Sequence, residues 1–158
     1  MSEFSFHDID GRRLNLSDYR GQAVLVVNTA SECGYTPQYA ELQELWQRFG
    51  DRGLVVLGVP SNDFGAQEPG TEEEVKFFCT TRYGVDFRLT AKQSVIGAEA
   101  HPFYQWIVQE LGEDAAPKWN FHKYLLDTNG NLSGLWPSAV SPLDPALVDA
   151  VRDALSIN

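Results

Sequence analysis

Cysteine and histidine are scarce in this chain, and basic residues are outnumbered. There are three histidines, His7, His101 and His122, and two cysteines, Cys33 and Cys79. They are scattered, without the close Cys and His spacing of a zinc site, so no metal centre is expected. The two cysteines lie too far apart for a CxxC redox motif, and in a reducing compartment such a pair is rarely a structural staple. Lys and Arg number 12 against 22 Asp and Glu, a formal net charge of −10. That balance excludes the basic face that nucleic acid selects and electrostatic attachment to anionic lipid. No apolar run approaches the roughly 20 residues that span a bilayer. The first ten residues, MSEFSFHDID, have neither the basic nor the apolar region of a secretory signal. The expectation is a cytoplasmic protein with no membrane and no nucleic-acid partner.

What is present is an ordinary globular composition: 158 residues, 43% hydrophobic and 12% aromatic. That suffices for one domain with one good core, and residues 1–158 read as such. There is no repeat, linker or low-complexity segment. Residues 3 to 20 suggest a small hairpin around Asp10-Gly11, then a turn at Asn15 to Asp18. AVLVVNT (23–29) and LVVLGVP (54–60) are nearly continuous apolar runs, as strands buried on both faces should be. Between them Tyr39, Leu42, Leu45, Trp46 and Phe49 recur at helical spacing, with Pro37 at the start and Gly50 as the expected stop. This is a βαβ unit, so its strands should be parallel.

Thr71 and Glu74 have capping-box spacing for a second helix reaching about Tyr83, with Val75, Phe78 and Cys79 on its apolar face. A third helix, about His101 to Leu111, should bury Phe103, Trp106, Ile107 and Leu111. Asn129-Gly130 between Phe121–Asp127 and Asn131–Trp136 predicts another hairpin. Asp144 and Pro145 open a last helix whose stripe is Leu147, Val148, Val151 and Leu155. This order predicts an α/β chain of thioredoxin-like plan: a central mixed β-sheet flanked by helices, with a small N-terminal β-hairpin.

In that plan Cys33, within NTASECGYTP, lies just past the first core strand and before a helix N-terminus. Such strand ends hold ligands in open α/β sheets. Cys33-Gly34-Tyr35-Thr36 is a CxxC with its second thiol replaced, so it can attack but cannot close a local disulfide. An ordinary cysteine titrates near 8.5, leaving about 3% thiolate at pH 7, and bringing such a group to about 6 takes roughly 3.4 kcal/mol. A helix terminus supplies about 0.3–1 kcal/mol, or about 2 when partly buried. One or two hydrogen bonds to the anion, about 1.5–3 kcal/mol each, would close the gap. Neutral amides and an indole N–H suit this role, so a Gln, Asn or Trp should fold back over Cys33.

Three stretches, NTASECGYTPQY, LVVLGVPSNDFGAQEPG and KWNFHKYLLDTNG, resemble the glutathione peroxidase family in the right order and over nearly the whole chain. The resemblance implies that Cys33 attacks a hydroperoxide and becomes a sulfenic acid, with Gln67, Trp119 and Asn120 as its catalytic partners. It implies no dissociable cofactor. Cys79, within FFCTTRYGVDF, matches the resolving cysteine of the thioredoxin-dependent, two-cysteine branch. The implied cycle passes through a Cys33–Cys79 disulfide that thioredoxin reduces, with glutathione as the alternative donor. The helix carrying Cys79 would have to unwind in part, because a disulfide needs Cα atoms within about 7 Å. The short stretch from Leu111 to Trp119 resembles the compact branch, expected to be a monomer or weak dimer. Ser61 stands where relatives often have another cysteine, Asp63 where a Gln is usual, Val59 for a common Phe, and Arg88 for a Pro. Two other readings stay open: an oxidant sensor that passes oxidation to a partner protein, and a binding module with silent cysteines. A cysteine beside Phe78 on a buried helix face is also what plain packing produces.

Overall fold

A computed structural model describes residues 4–157. Residues 1–3, where the hairpin reading and the search for a leader begin, and residue 158 lie outside the described residues. The two apolar runs form strands over the expected spans, β3 (Ala23–Thr29) and β4 (Leu54–Pro60). They pair in parallel from Ala23 opposite Leu54 to Thr29 opposite Pro60. Every residue of both strands is buried. Leu25 and Val27 face one hydrophobic cluster, while Val24 and Val26 face the other. Burial on both faces is why neither strand shows polar alternation.

The five-stranded sheet has the order β5-β4-β3-β6-β7. β6 (Lys123–Leu126) runs antiparallel to β3, and β7 (Leu132–Trp136) antiparallel to β6 across the Asn129-Gly130 turn. β5 (Arg88–Leu89) adds two residues parallel to β4 and was not expected. Two residues carry no periodicity that a sequence reading could detect. The N-terminal hairpin pairs β1 (Ser5–His7) with β2 (Arg13–Asn15) as a separate two-stranded sheet. Its turn is held by Asp8, whose Oδ1 accepts from the Asp10 and Arg12 N–H groups at 2.9 Å each.

The helices are α1 (Gln38–Phe49), α2 (Glu72–Tyr83), α3 (Pro102–Leu111) and α4 (Pro145–Ala154). One cluster gathers Tyr39, Leu42 and Leu45 of α1, Val75 and Cys79 of α2, and Leu147 and Val151 of α4. The other gathers Phe103, Tyr104 and Ile107 of α3 with Phe6 and Leu14 of the hairpin. The capping box forms as read: the Glu74 N–H donates to Thr71 Oγ1 (3.2 Å) and the Thr71 N–H to Glu74 Oε1 (3.0 Å). Asp144 caps α4 by accepting from the Ala146 N–H at 2.9 Å.

Gly50 is the C-cap of α1, where the reading put the stop; its φ is −56°, and a short 3₁₀ turn over 50–52 carries the chain to Gly53, where φ is +110°. One expectation is corrected. Leu111 is half exposed and Trp106 only partly buried, because α3 instead turns Tyr104 inward.

Candidate active site

Cys33 lies in the loop between β3 and α1, and that loop is tied to itself. Thr36 Oγ1 donates to the Ala30 carbonyl and accepts from the Cys33 N–H, both at 2.9 Å. The threonine of the CxxT is thus a clasp that fixes the cysteine's backbone. The Tyr35 N–H points at Cys33 Sγ from 3.3 Å, so the donor in place is a main-chain amide. Cys33 is 8% exposed, enough for a small reagent to touch.

Gln67, Trp119 and Asn120 come together around Gly65. Asn120 Nδ2 donates to Gln67 Oε1 at 3.0 Å. A Cβ placed on Gly65 would meet Trp119 Cη2 at 3.0 Å and the Gln67 side chain at 3.5 Å, so the turn needs glycine for space as well as for its φ of +68°. The Phe64 ring stands 5.7 Å from that of Trp119. The Glu32 N–H donates to the Gln67 carbonyl at 3.0 Å, which fastens this group to the residue before Cys33. Trp119 packs against the cluster that contains Cys33. Among the described residues none of the three side chains donates to Sγ in this arrangement, and Asn120 Oδ1 is buried without a partner.

The backbone here is strained. Ala66, just before Gln67, has φ +52°, and Phe121, just after Asn120, has φ +66°. Such conformations cost about 1–3 kcal/mol each and persist where surrounding structure imposes them. The restraint comes largely from Asn28, the first residue of the NTASECGYTPQY stretch, to which the sequence reading gave no role. Its Nδ2 donates to the Trp119 carbonyl (3.0 Å), its Oδ1 accepts from the His122 N–H (3.2 Å), and its carbonyl accepts from the Phe121 N–H (2.6 Å). A polar residue inside the run AVLVVNT was the available signal. Lys123 adds a second brace: its buried Nζ donates to the Phe121 carbonyl at 2.7 Å and the Ser138 carbonyl at 3.2 Å. Burial pulls its pKa down to about 7, against the pull of Glu41.

Cys79 occupies a different setting. It is fully buried on the inner face of α2, and both cysteines are free thiols. Burial pushes the Cys79 thiol up to about 11; the nearby Tyr39 hydroxyl opposes this and Glu68 adds to it. Glu68, next to Gln67, is another residue the sequence reading passed over. It is 1% exposed, its Oε2 has no partner, and burial pushes its carboxyl up to about 7 while Ser31 and Lys92 pull the other way. Asp63 holds a neighbouring loop, its Oδ2 accepting from Ser94 Oγ (3.0 Å) and the Val95 N–H (2.6 Å). Ser61 is buried and Val59 packs in the core; Arg88 is exposed on β5. Among the described residues no group of three or more His, Cys, Asp or Glu is arranged to hold a metal ion, and no helix is long and apolar enough to cross a membrane.

The sequence pattern of the family described as glutathione peroxidase matches residues 1–108. The chain belongs to the glutathione peroxidase family. A Synechocystis relative named hydroperoxy fatty acid reductase gpx1 is 46% identical over 147 residues, covering 88% of this chain and 87% of its own. The thioredoxin/glutathione peroxidase BtuE of Escherichia coli is 35% identical over 171 residues, covering 94% and 93%. Among solved structures, a thiol:disulfide interchange protein of the thioredoxin family from Chlorobium tepidum superposes with a TM-score of 0.72 over 98% of this chain and 96% of that one. At 18% identity that likeness speaks for the thioredoxin-like fold alone. The chain is therefore a thiol peroxidase of the glutathione peroxidase family, on a thioredoxin-like fold.

Proposed function

We propose that Cys33 is the peroxide-reactive sulfur, that Gln67, Trp119 and Asn120 are its catalytic partners, and that Cys79 resolves the oxidised enzyme for reduction by thioredoxin. The observation that carries this reading is the Gln67–Asn120 hydrogen bond, held between strained backbone positions and fastened to the Cys33 loop. The Cys33 thiolate attacks one peroxide oxygen, the O–O bond breaks, and the other oxygen leaves as water or alcohol after taking a proton. Cys33 is then a sulfenic acid. Small rotations of the Gln67 and Asn120 amides and the Trp119 indole would aim N–H groups at the charge developing on sulfur and oxygen.

Cys79 then attacks the sulfenic sulfur, water leaves, and a Cys33–Cys79 disulfide forms. Cys79 must first come out from beneath α2, so the capped helix opens in part during each turnover. Two electrons from a reduced thioredoxin dithiol restore both thiols, and no dissociable cofactor takes part. The name of the E. coli relative carries both thioredoxin and glutathione. Net charge and the scarcity of basic side chains favour thioredoxin for this chain. We place the enzyme in the cytoplasm as a monomer or weak dimer.

The test follows NADPH consumption with hydrogen peroxide, comparing thioredoxin and its reductase with glutathione and its reductase. Faster turnover with thioredoxin is expected. Equal or faster turnover with glutathione would overturn the choice of donor, and no loss of peroxide with either would overturn the role of Cys33.

A further inference from the structure

Closing a disulfide onto the sulfenic acid moves a proton. The Cys79 thiol must lose one to attack, and the hydroxyl on Cys33 must gain one to leave as water. Burial pushes the Cys79 thiol up to about 11, so it does not shed that proton unaided near neutral pH. The groups assigned to the first oxidation do not include a buried carboxyl close by, that of Glu68.

An opening of about 240 Å³ lies where the segments of this step meet. Ser31 and Glu32 come to it from the Cys33 loop, Glu68 from the loop of Gln67, and Val75 and Phe78 from α2. Glu32 is the residue before Cys33 and Phe78 the residue before Cys79. Val75 lies one turn before Cys79 on the buried face of α2. The opening thus touches both ends of the path that joins the two sulfurs. Glu68 lines it while only 1% exposed, and Glu68 Oε2 has no hydrogen-bond partner among the described residues. Its backbone is fixed from both sides. The Glu68 N–H donates to Asn62 Oδ1 at 2.9 Å, and the Gln67 carbonyl accepts from the Glu32 N–H at 3.0 Å. An acid kept buried with one oxygen unpaired weakens a fold, so packing gives no reason for it.

The other charged and titratable groups around the opening are engaged, exposed or held neutral. Lys92 Nζ donates to the Gly70 carbonyl at 2.9 Å, and the Lys92 N–H to Glu72 Oε2 at 3.0 Å. Glu74 Oε1 accepts from the Thr71 N–H at 3.0 Å. Glu32 is exposed. The Tyr39 hydroxyl, beside the Cys79 thiol, is held neutral by burial. Burial raises the Glu68 carboxyl to about 7, with Ser31 and Lys92 opposing and Glu32 adding to the rise. A carboxyl that titrates there can both take and return a proton near neutral pH.

We propose that Glu68 is the general base and acid of disulfide formation, taking the proton of the Cys79 thiol and delivering it to the hydroxyl that leaves Cys33. The proposal rests on the reading of Cys33 as the peroxide-reactive sulfur and of Cys79 as its resolving partner. The Cys79 S–H bond breaks, its proton passes to the Glu68 carboxylate, and the S–S bond forms. The S–O bond of the sulfenic acid breaks, its electron pair stays on oxygen, and the proton on Glu68 completes a water. The Cys79 sulfur is oxidised and the Cys33 sulfur reduced, so no outside oxidant or reductant enters.

The test isolates this step from the oxidation before it. Cys33 is oxidised with one equivalent of hydrogen peroxide at low pH, and the pH is then jumped to a series of values from about 5 to 9. Acid quenching and mass spectrometry follow the Cys33–Cys79 disulfide. In the wild type its rate should rise with pH and level off above about 7, as Glu68 ionises. Glu68→Gln should form the disulfide about a hundredfold more slowly at about pH 8, with a rate that climbs through the series without a break. Imidazole, small enough for the opening, should restore part of that rate in proportion to its concentration and leave the wild type unmoved. Glu68→Asp should keep a break in its profile at an intermediate rate. A substitution that only changed the opening of α2 would scale the rate equally at every pH and gain nothing from imidazole.

A wild-type profile without the break, a Glu68→Gln profile that keeps it, or a deficit equal at every pH that imidazole does not relieve would overturn the proposal. Where Glu68→Gln does not fold, the wild-type profile and Glu68→Asp decide it. A Cys33 that never takes up peroxide oxygen would sink the reading of that sulfur, and an oxidised Cys33 that never joins Cys79 would sink the reading of Cys79. A disulfide formed with one and the same profile in all three chains would sink Glu68 alone.

Discussion

Cys33 lies on a loop and Cys79 on a helix, yet both pack into the same hydrophobic cluster beneath one face of the sheet. The loop cysteine touches solvent and accepts a hydrogen bond from the Tyr35 N–H, its loop is fastened to the Gln67 carbonyl through the Glu32 N–H, and Trp119 packs against its cluster. The helix cysteine is sealed, its thiol pushed up to about 11 by burial and by the acid beside it. A thiol in that state is a poor nucleophile, because the thiolate is the reactive form. Under the proposed function this difference sets an order of events: oxidation at the loop first, and release of the helix second. Two thiols of one cluster sit in different surroundings, one reaching the surface on a loop and one sealed beneath a helix.

Three experiments would break or sharpen this contrast. The largest effect is expected at the amide pair. Gln67→Ala or Asn120→Ala should slow the first oxidation of Cys33 by about ten- to a hundredfold, the worth of one hydrogen bond to a charged group. The double variant should fall well short of the product of the two, because the side chains act through one shared bond. Stopped-flow peroxide consumption in single turnover reads this directly. A loss below about twofold in both would remove the pair from the chemistry.

The second effect is one of stability. Burial raises the Glu68 carboxyl from an ordinary 4.5 to about 7, so between those values the folded chain binds more protons than the unfolded one. This contribution is intact below about pH 4.5 and is lost as pH rises toward 7. Glu68→Gln carries no such term. Relative to wild type, the variant should gain on the order of 1–3 kcal/mol between pH 4.5 and 7, measured by urea unfolding at each pH. His122 works in the opposite sense, since burial lowers it to about 4 and its contribution improves as pH rises. It is common to both chains and cancels in the comparison. A difference that does not change with pH would contradict the buried state of Glu68.

The third and smallest effect concerns α2. Thr71→Ala removes one half of the capping box and should cost the helix about 1 kcal/mol. Opening of α2 then becomes about fivefold more frequent, and disulfide formation should quicken accordingly while the first oxidation keeps its rate. Stopped-flow fluorescence separates the two phases. A faster first phase, or an unchanged second one, would mean that α2 does not gate the reaction.

Much of this was legible from the sequence where many residues repeat one message. β3 and β4 were readable to the residue because seven successive buried positions leave no doubt about burial, and the Thr71–Glu74 and Asp144–Pro145 caps were readable because capping chemistry is local. The stop of α1 at Gly50 was legible too, but not its form: Gly50 keeps helical backbone, and Gly53 takes the left-handed turn. Leu111 was misread because an apolar residue on the last turn of a helix has no neighbour there to cover it. At the site, motif residues were visible but their supports were not. Asn28, Lys123 and the left-handed Phe121 act through contacts to carbonyls and amides distant in sequence, which one-dimensional periodicity does not record. Glu68 was hidden for the same reason, since a glutamate in a loop is ordinarily solvated.

The most direct measurement maps where one equivalent of hydrogen peroxide lands, using a sulfenic-acid trap and peptide mass spectrometry. In Cys79→Ser the trap should mark Cys33, in Cys33→Ser it should leave Cys79 unmodified, and the wild type should yield a Cys33–Cys79 disulfide. A trap found first on Cys79, or a Cys33 that stays reduced while peroxide is consumed, would contradict the account.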